Sequence, residues 1–421
     1  MLHINKIREN KDSYIKLLEI KNFDASELLD LVIKKDDERK ATQQKADEFL
    51  SKGNQLAKQI GELYKTGKAQ EANVLKEVSS NIKEESKVLQ IKQTELEKEI
   101  QDILVQIPNI PFPTVPNGKS DADNVTIKEV GTIPTLMEGA KPHWELTTDY
   151  SLIDFELGNK ITGAGFPVYV NKGAKLQRAL ISYFLDKNTE AGYIEYLPPH
   201  LVNEASGFGT GQLPDKEGQM YHATEDNLYL IPTAEVPVTN FFRDVIVKEF
   251  PIKCTAYTPC FRREAGSYGK EVRGLNRLHQ FDKVEIVQVQ HPEKSYETLD
   301  VMVQHVASIL DELELPYRIL KLCGGDLSFT AALTFDFEVY SAGQERWLEV
   351  SSVSNFESYQ ANRLKLRYKD DNGKTQLCHT LNGSALALPR IYAALIENNQ
   401  TAQGIIIPKA LQPYTGFDII K

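Results

Sequence analysis

Leu75, Ile82, Leu89, Leu96 and Ile103 recur at seven-residue intervals. A chain that repeats a large apolar residue on this period buries it along one stripe of a long helix packed on a second helix. The preceding segment offers the partner. Ala46, Phe49, Gly53, Leu56, Ile60 and Leu63 follow in steps of three and four, and "KTGKAQ" separates the two runs at Gly67. Such a pair predicts an antiparallel hairpin, with arms of about 38 residues reaching roughly 57 Å at 1.5 Å per residue. The companion positions Val78, Glu85, Lys92 and Glu99 are mostly polar. The packing is therefore expected to be one-sided.

The run ends at "IPNIPFPTVP", where Pro108, Pro111, Pro113 and Pro116 forbid helix or sheet and favour a stiff, extended connector. Three regions are expected: a helical arm over 1–108, a linker over 109–116 and a second domain over 117–421. The net charge of −10 excludes a broad basic surface for non-specific nucleic-acid binding. Yet residues 51–70 hold four lysines, Lys52, Lys58, Lys65 and Lys68, against one glutamate. A rod with a basic tip is either a dimerising spacer or a probe for a distant polyanion; these residues alone weigh the two equally. Cys254, Cys260, Cys323 and Cys378 form no C-x-x-C pair and are expected as reduced thiols, neither bridged nor on zinc. No apolar run approaches the roughly 20 residues of a membrane span. The start "MLHINKIREN" lacks a signal-peptide core. A cytoplasmic protein is expected.

The remainder mixes helical and strand periods. Helices are predicted over 171–192 and 293–315, and strands over 255–264, 279–289, "YIEYLPP", "FDFEVY" and "RWLEVSSVSN". Strands joined by hairpins among helices indicate an α+β domain around an antiparallel sheet. No phosphate-binding glycine loop is present, so a bound nucleotide would be held by side chains on the sheet. The hairpin opened by "FRREAGSYG" is the candidate surface. Arg262 and Glu264 share one face of its first strand; Phe281, Lys283 and Glu285 share one face of the return. A guanidinium clamps phosphate, an aromatic ring stacks on a purine, and a carboxylate accepts from an amine or hydroxyl. Taken alone, this stretch is better explained by cross-strand ion pairs on a solvated hairpin. Other segments tip the balance. "LEVSS" (348–352) offers a carboxylate and hydroxyls at a strand end, suited to Mg²⁺ on phosphate oxygens. Arg390 opens a helix, and Thr233 and Glu235 sit in a loop, where the glutamate suits an ammonium group.

"FRREAG", "HQFDKVE", "EVSSVSN", "TLNGSALALPR", "IPTAEVPVTN", "GTGQLP" and "IPKALQPY" together resemble the signature segments of class II aminoacyl-tRNA synthetases, specifically the bacterial-type seryl-tRNA synthetases. The likeness spans essentially the whole chain. It implies the class II antiparallel sheet flanked by helices, behind an N-terminal antiparallel helical hairpin. It implies ATP- and Mg²⁺-dependent activation of L-serine to seryl-adenylate, then transfer to the 3′ end of serine tRNA, and commonly of selenocysteine tRNA. Carried over by motif, Arg262 and Arg390 are the catalytic cations, on the α- and γ-phosphates. The ATP segments are Arg262, Arg263 and Glu264, then Phe281, then Glu349, Val350, Ser351 and Ser352, then Arg390, with Glu349 and Ser352 on Mg²⁺. Serine is surrounded by Thr233, Ala234, Glu235, Arg262, Glu285 and Ser384, Glu285 accepting from its hydroxyl. Lys52, Lys58, Lys65 and Lys68 would meet the long variable arm of the tRNA, and segment 171–199 resembles a dimer interface, implying a homodimer. Ala385 and Pro389 stand where many members carry glycine, and Arg263 replaces a serine. A ligase loading a carrier protein and a non-catalytic relative are the alternatives. The hairpin opposes the first; the presence of Arg262, Glu264, Glu349 and Arg390 opposes the second.

Overall fold

The computed structural model describes residues 1–215, 218–263 and 273–421. The chain separates into two compact units, residues 1–19 with 23–108, and 20–22 with 109–421. Among the described residues no helix is long and apolar enough to cross a membrane.

The first unit holds α1 (Ile4–Glu19), α2 (Ser26–Lys65) and α3 (Ala69–Leu104). The sequence predicts only the two long helices. Helix α1 buries just Ile7 and Leu18, too few residues to display a period. It is fastened instead by Arg8, which donates to Asp36 (2.9 Å), Asp37 (2.6 Å) and the Ile33 carbonyl (3.0 Å). Gly67, at φ +78°, turns the chain between α2 and α3, a conformation glycine adopts without strain. The heptad residues face α2 as predicted, Leu96 and Ile103 buried and Leu75, Ile82 and Leu89 half-buried. The companion stripe is different. Ala72, Ser86 and Ile100 are buried, whereas Val78 is exposed. The second seam thus precedes each heptad residue by three, not four, with small residues at Ala72 and Ser86. A Cβ placed on Gly53 of α2 would lie 3.8 Å from Ile82, in ordinary van der Waals contact.

In the second unit the proline segment is not a free spacer. The Asn109 N–H donates to the Phe329 carbonyl (2.9 Å), its side chain to Phe356 (2.8 Å), and the Phe112 N–H to Ala332 (2.8 Å). The main sheet comprises β1 (Val125–Val130), β2 (Ile194–Glu195), β3 (Ile252–Phe261), β4 (Gln280–Gln290), β5 (Tyr317–Lys321), β6 (Leu333–Ser341), β7 (Arg346–Asn355) and β8 (His379–Ala387). Its order is β1-β5-β6-β7-β8-β4-β3-β2. Every pair is antiparallel except β2–β3. This is the α+β architecture expected from sequence. Three details differ. The strand predicted over 255–264 ends at Phe261, because its partner begins opposite, at Gln280. "YIEYLPP" yields only two strand residues before its prolines remove the donors a ladder needs. "LEVSS" lies inside β7, not at its end, since β7 pairs with β6 along its length.

Helices α4 (His143–Asp149), α5 (Asn171–Glu190), α6 (Ser295–Glu312) and α7 (Leu388–Asn398) complete the frame. Pro389 falls in the first turn of α7, where the missing N–H costs nothing. On β6, Leu333, Phe335, Phe337 and Val339 enter the core with Leu299, Met302 and Val306 of α6. The alternate residues Thr334 and Asp336 face a cavity on the other side.

Burial alone would raise the Asp36 carboxyl, but hydrogen bonds from Arg39, Lys40 and Arg8 hold it below the ordinary carboxylate value. Its stabilising contribution is therefore complete above the unfolded pKa and is lost as pH falls through the folded one. Asp36→Asn should destabilise the first unit by about 1–3 kcal/mol near neutral pH and weaken the acid limb of its unfolding. Denaturant titrations of both chains, followed by a probe on α1 at neutral and acid pH, would measure this.

Candidate active site

A cavity of about 660 Å³ opens over β4, β7 and β8. Antiparallel register builds its floor. Glu285 of β4 lies opposite Ser384 of β8, and Lys283 opposite Ala387 across a register shift. On β7 a bulge between the Glu349 and Ser351 pairings switches the alternation. Leu348, Val350 and Val353 remain in the core, while Glu349 and Ser352, three residues apart, both line the cavity. Ser351 donates to the Ser384 carbonyl at 2.5 Å and ties β7 to β8.

One end of the cavity is a buried polar nest. The Lys283 ammonium sits 2.6 Å from Glu285 and donates to Thr233 Oγ1 at 2.7 Å. Thr233 donates in turn to Glu285 (3.4 Å) and accepts the Glu235 N–H (3.2 Å). Glu235 opens the short helix Glu235–Asn240 and accepts from Gln360 at 2.6 Å. Burial, then the negative charge of Glu285, pushes the Glu235 carboxyl up to about 7, against the pull of Gln360 and Lys283. Two buried carboxylates share one ammonium.

The other end is built for anions and a flat ring. The Arg262 guanidinium lies 5.3 Å from the centre of the Phe281 ring, and its Nε reaches the Pro232 carbonyl at 3.4 Å. Arg262 follows β3, but its N–H still donates to the His279 carbonyl (2.9 Å). Arg390, in the first turn of α7, donates to the Glu349 carbonyl (2.8 Å) and through Nε to the Asn276 carbonyl (3.1 Å); its Nη1 lies 3.7 Å from the Glu349 carboxylate. Ser352 hydrogen-bonds Asp336. Burial, then the charge of Glu349, drives the Asp336 carboxyl well above its ordinary value, despite that hydroxyl.

Of the residues singled out from sequence, Thr233, Glu235, Arg262, Phe281, Glu285, Glu349, Val350, Ser351, Ser352, Ser384 and Arg390 line this one cavity. Ala234 does not; its side chain packs with Val238, Cys254 and Val287. Arg263 lies with its guanidinium 5.8 Å from the Tyr221 ring, outside the lining. Glu264 lies outside the described residues. Lys52, Lys58, Lys65 and Lys68 are exposed on the first unit. Sequence reasoning placed Lys283 on the right face but gave it no role, and it missed Gln360 and Asp336 altogether. The "DKVE" alternation carried the signal for Lys283, and that of "TFDFEV" for Asp336.

Residues 1–111 match the seryl-tRNA synthetase N-terminal domain, and residues 219–399 the class II tRNA synthetase core domain for G, H, P, S and T. Over 421 residues the chain is 47% identical to the serine–tRNA ligase of Salinibacter ruber, covering 99% of this chain and 98% of that one. The chain belongs to the serine–tRNA ligase family. Its fold superimposes on the seryl-tRNA synthetase of Pyrococcus horikoshii, solved with ATP, with a TM-score of 0.91 at 33% identity, covering 100% of this chain and 99% of that one. The cytoplasmic serine–tRNA ligase of Naegleria fowleri, solved with AMP, gives 0.86 at 28% identity, with coverage of 100% and 99%.

The raised Glu235 pKa has a signed consequence for the ligand-free protein. Stability is greatest below the unfolded carboxyl pKa and declines as pH rises through about 7. Glu235→Gln should remove that decline, gaining about 2 kcal/mol at about pH 8 and almost nothing at about pH 4. Thermal melts across that range check it.

Proposed function

We infer that this chain activates L-serine with ATP and transfers the seryl group to the 3′ end of serine tRNA. The observation that carries the reading is the nest of Glu235, Glu285, Lys283 and Thr233 abutting the Arg262–Phe281 pair in one cavity, in a chain of this family. An amino acid brings an ammonium that the surplus carboxylate lacks. Its hydroxyl finds an acceptor in Glu285. Alanine would forgo that hydrogen bond in a buried site, which is how such sites disfavour an analogue lacking the hydroxyl.

Arg262, beside the Phe281 ring with its Nε on the Pro232 carbonyl next to Thr233, is proposed to hold both the serine carboxylate and the ATP α-phosphate. A carboxylate oxygen then attacks the α-phosphorus. The new P–O bond forms as the α–β anhydride breaks, and pyrophosphate leaves with the electron pair. Arg262 meets the charge developing on the α-phosphate, and Arg390, at a helix N-terminus, meets the γ-phosphate. Phe281 is proposed to stack on adenine, with Glu264 beside it. In the second step the terminal adenosine hydroxyl attacks the seryl carbonyl and AMP departs. No side chain serves as nucleophile; orientation and charge stabilisation supply the rate.

Asp336, Glu349 and Ser352 suit Mg²⁺. Three oxygen-bearing side chains adjoin, and burial, then the charge of Glu349, raises the Asp336 carboxyl, a penalty that a bound cation would relieve. Among the described residues no group of three or more His, Cys, Asp or Glu makes a cage of protein alone. There the ion would neutralise triphosphate charge. The lysines Lys52, Lys58, Lys65 and Lys68 are proposed to meet the tRNA, with selenocysteine tRNA as a second substrate. A cytoplasmic homodimer completes the reading. The exposure of Ile194 (59%) and Leu197 (81%) after α5 supports a partner surface there.

Amino-acid-dependent ATP–pyrophosphate exchange tests the proposal. Serine should support exchange while alanine, threonine, cysteine and glycine do not, and Glu285→Ala should lose about 100-fold or more. Exchange driven by another amino acid, or none from a folded protein supplied with Mg²⁺, would reject it. Replacing the four lysines together by alanine should raise the KM for tRNA and flatten its salt dependence, leaving exchange unchanged.

A further inference from the structure

Beside the Leu275–Leu278 wall of the cavity lies a buried polar cluster to which the chemistry above gives no role. His143, the first residue of α4, is fully buried. Its Nε2 accepts the Leu275 N–H at 2.9 Å. A ring nitrogen that accepts carries no proton, so the proton is on Nδ1, which donates to Glu397 Oε1 at 2.7 Å. The backbone N–H of His143 donates to the same oxygen, also at 2.7 Å. Glu397 is itself fully buried and takes further bonds from Ser341 and from Gln344 (3.2 Å). Gln344 then accepts from Asn276 at 2.8 Å. The Asn276 carbonyl is the group that holds Arg390 Nε.

The cluster is thus a relay with two outlets, both on the cavity. One is the wall, seated on His143 so closely that a Cβ on Gly274 would fall 2.2 Å from Nε2. The Arg273 guanidinium lies 4.8 Å from the ring centre of neighbouring Trp144. The other outlet is Arg390. Arg390 and Glu397 stand seven residues apart on α7, two turns along one face, so a single helix carries a guanidinium to the cavity and a carboxylate to the relay. Burying a carboxylate and an imidazole is costlier than filling the same space with apolar side chains. What these groups hold is a short loop and a cation that apolar packing would leave free to rotate.

We propose that His143 and Glu397 are positioning residues for the ATP end of the site: they fix the 275–278 wall and, through Gln344 and Asn276, aim Arg390. This rests on the reading of Arg390 as a phosphate ligand. The full-length chain, His143→Ala and Gln344→Ala are to be compared by amide hydrogen exchange and by the ATP and serine dependence of pyrophosphate exchange. His143→Ala should cost residues 273–278 about tenfold or more in protection, while β3 and β4 keep theirs. It should raise the KM for ATP about tenfold and change the KM for serine less than about twofold. In an Arg390→Lys background its penalty should shrink below about threefold, because the two act together. Unchanged protection, an equal rise in both KM values, or a full penalty in the Arg390→Lys background would overturn the inference. If His143→Ala does not fold, Gln344→Ala decides. It cuts the link from Glu397 to Asn276 while sparing the bond to Leu275, and must show the same ATP-selective loss. Serine-dependent exchange by the native chain tests the underlying reading separately. Should that fail, the protection of 273–278 still reports whether His143 holds the wall.

Discussion

Two carboxylates and one ammonium are buried together beside the central sheet, and that imbalance governs the site. Antiparallel pairing of β4 with β8 seats Glu285 opposite Ser384, alternation sends Lys283 to the same face, and the turn at Thr233 delivers Glu235 against both. Lys283 compensates one negative charge. Burial and the charge of Glu285 outweigh the pull of Gln360 and Lys283 on the second, and Glu235 holds its proton to about pH 7. A ligand that arrives with its own ammonium supplies the missing charge. Ligand selection thus begins in a desolvation problem the fold creates for itself.

The same sheet separates binding from packing. Its inner face is a continuous apolar core against α6, and its other face carries the polar groups. The bulge in β7 matters because strict alternation would send Glu349 and Ser352 to opposite faces. Arg390 depends on a helix start, and Pro389 helps to set that start. The cavity is therefore graded: an enclosed end of carboxylates, an ammonium and a hydroxyl, and an end lined by guanidinium groups, an aromatic face and carboxylates. The relay through His143 and Glu397 supports the second end from outside the sheet.

Much of this was readable from residue order. The heptad leucines identified the hairpin, and the motif segments named most of the cavity lining. The strand alternation of "HQFDKVE" put Phe281, Lys283 and Glu285 on one face. What stayed illegible depends on contacts between distant segments. Gln360 and Glu235 are 125 residues apart, and His143 and Glu397 are 254 apart; no local period connects them. The second hairpin seam was misplaced because Ala72, Ser79 and Ser86 are too small to register as a hydrophobic stripe. Helix α1 was missed because it is held by an arginine, not by an apolar face. Arg263 and Ala234 lie within motifs, but neither lines the cavity: the Arg263 guanidinium sits near the Tyr221 ring, and Ala234, in helical backbone ahead of Glu235, packs with Val238, Cys254 and Val287.

The central claim is that the Glu235–Glu285–Thr233 nest receives the amino acid while Arg262 and Phe281 receive the nucleotide. A crystal structure with a non-hydrolysable sulfamoyl analogue of seryl-adenylate tests this most directly. The account predicts the ligand hydroxyl within hydrogen-bond distance of Glu285, its ammonium at Glu235 and Thr233, and its adenine on the Phe281 ring. An analogue bound with its ammonium away from Glu235 and the Lys283–Glu285–Thr233 contacts undisturbed, or with the adenine off Phe281, would contradict it.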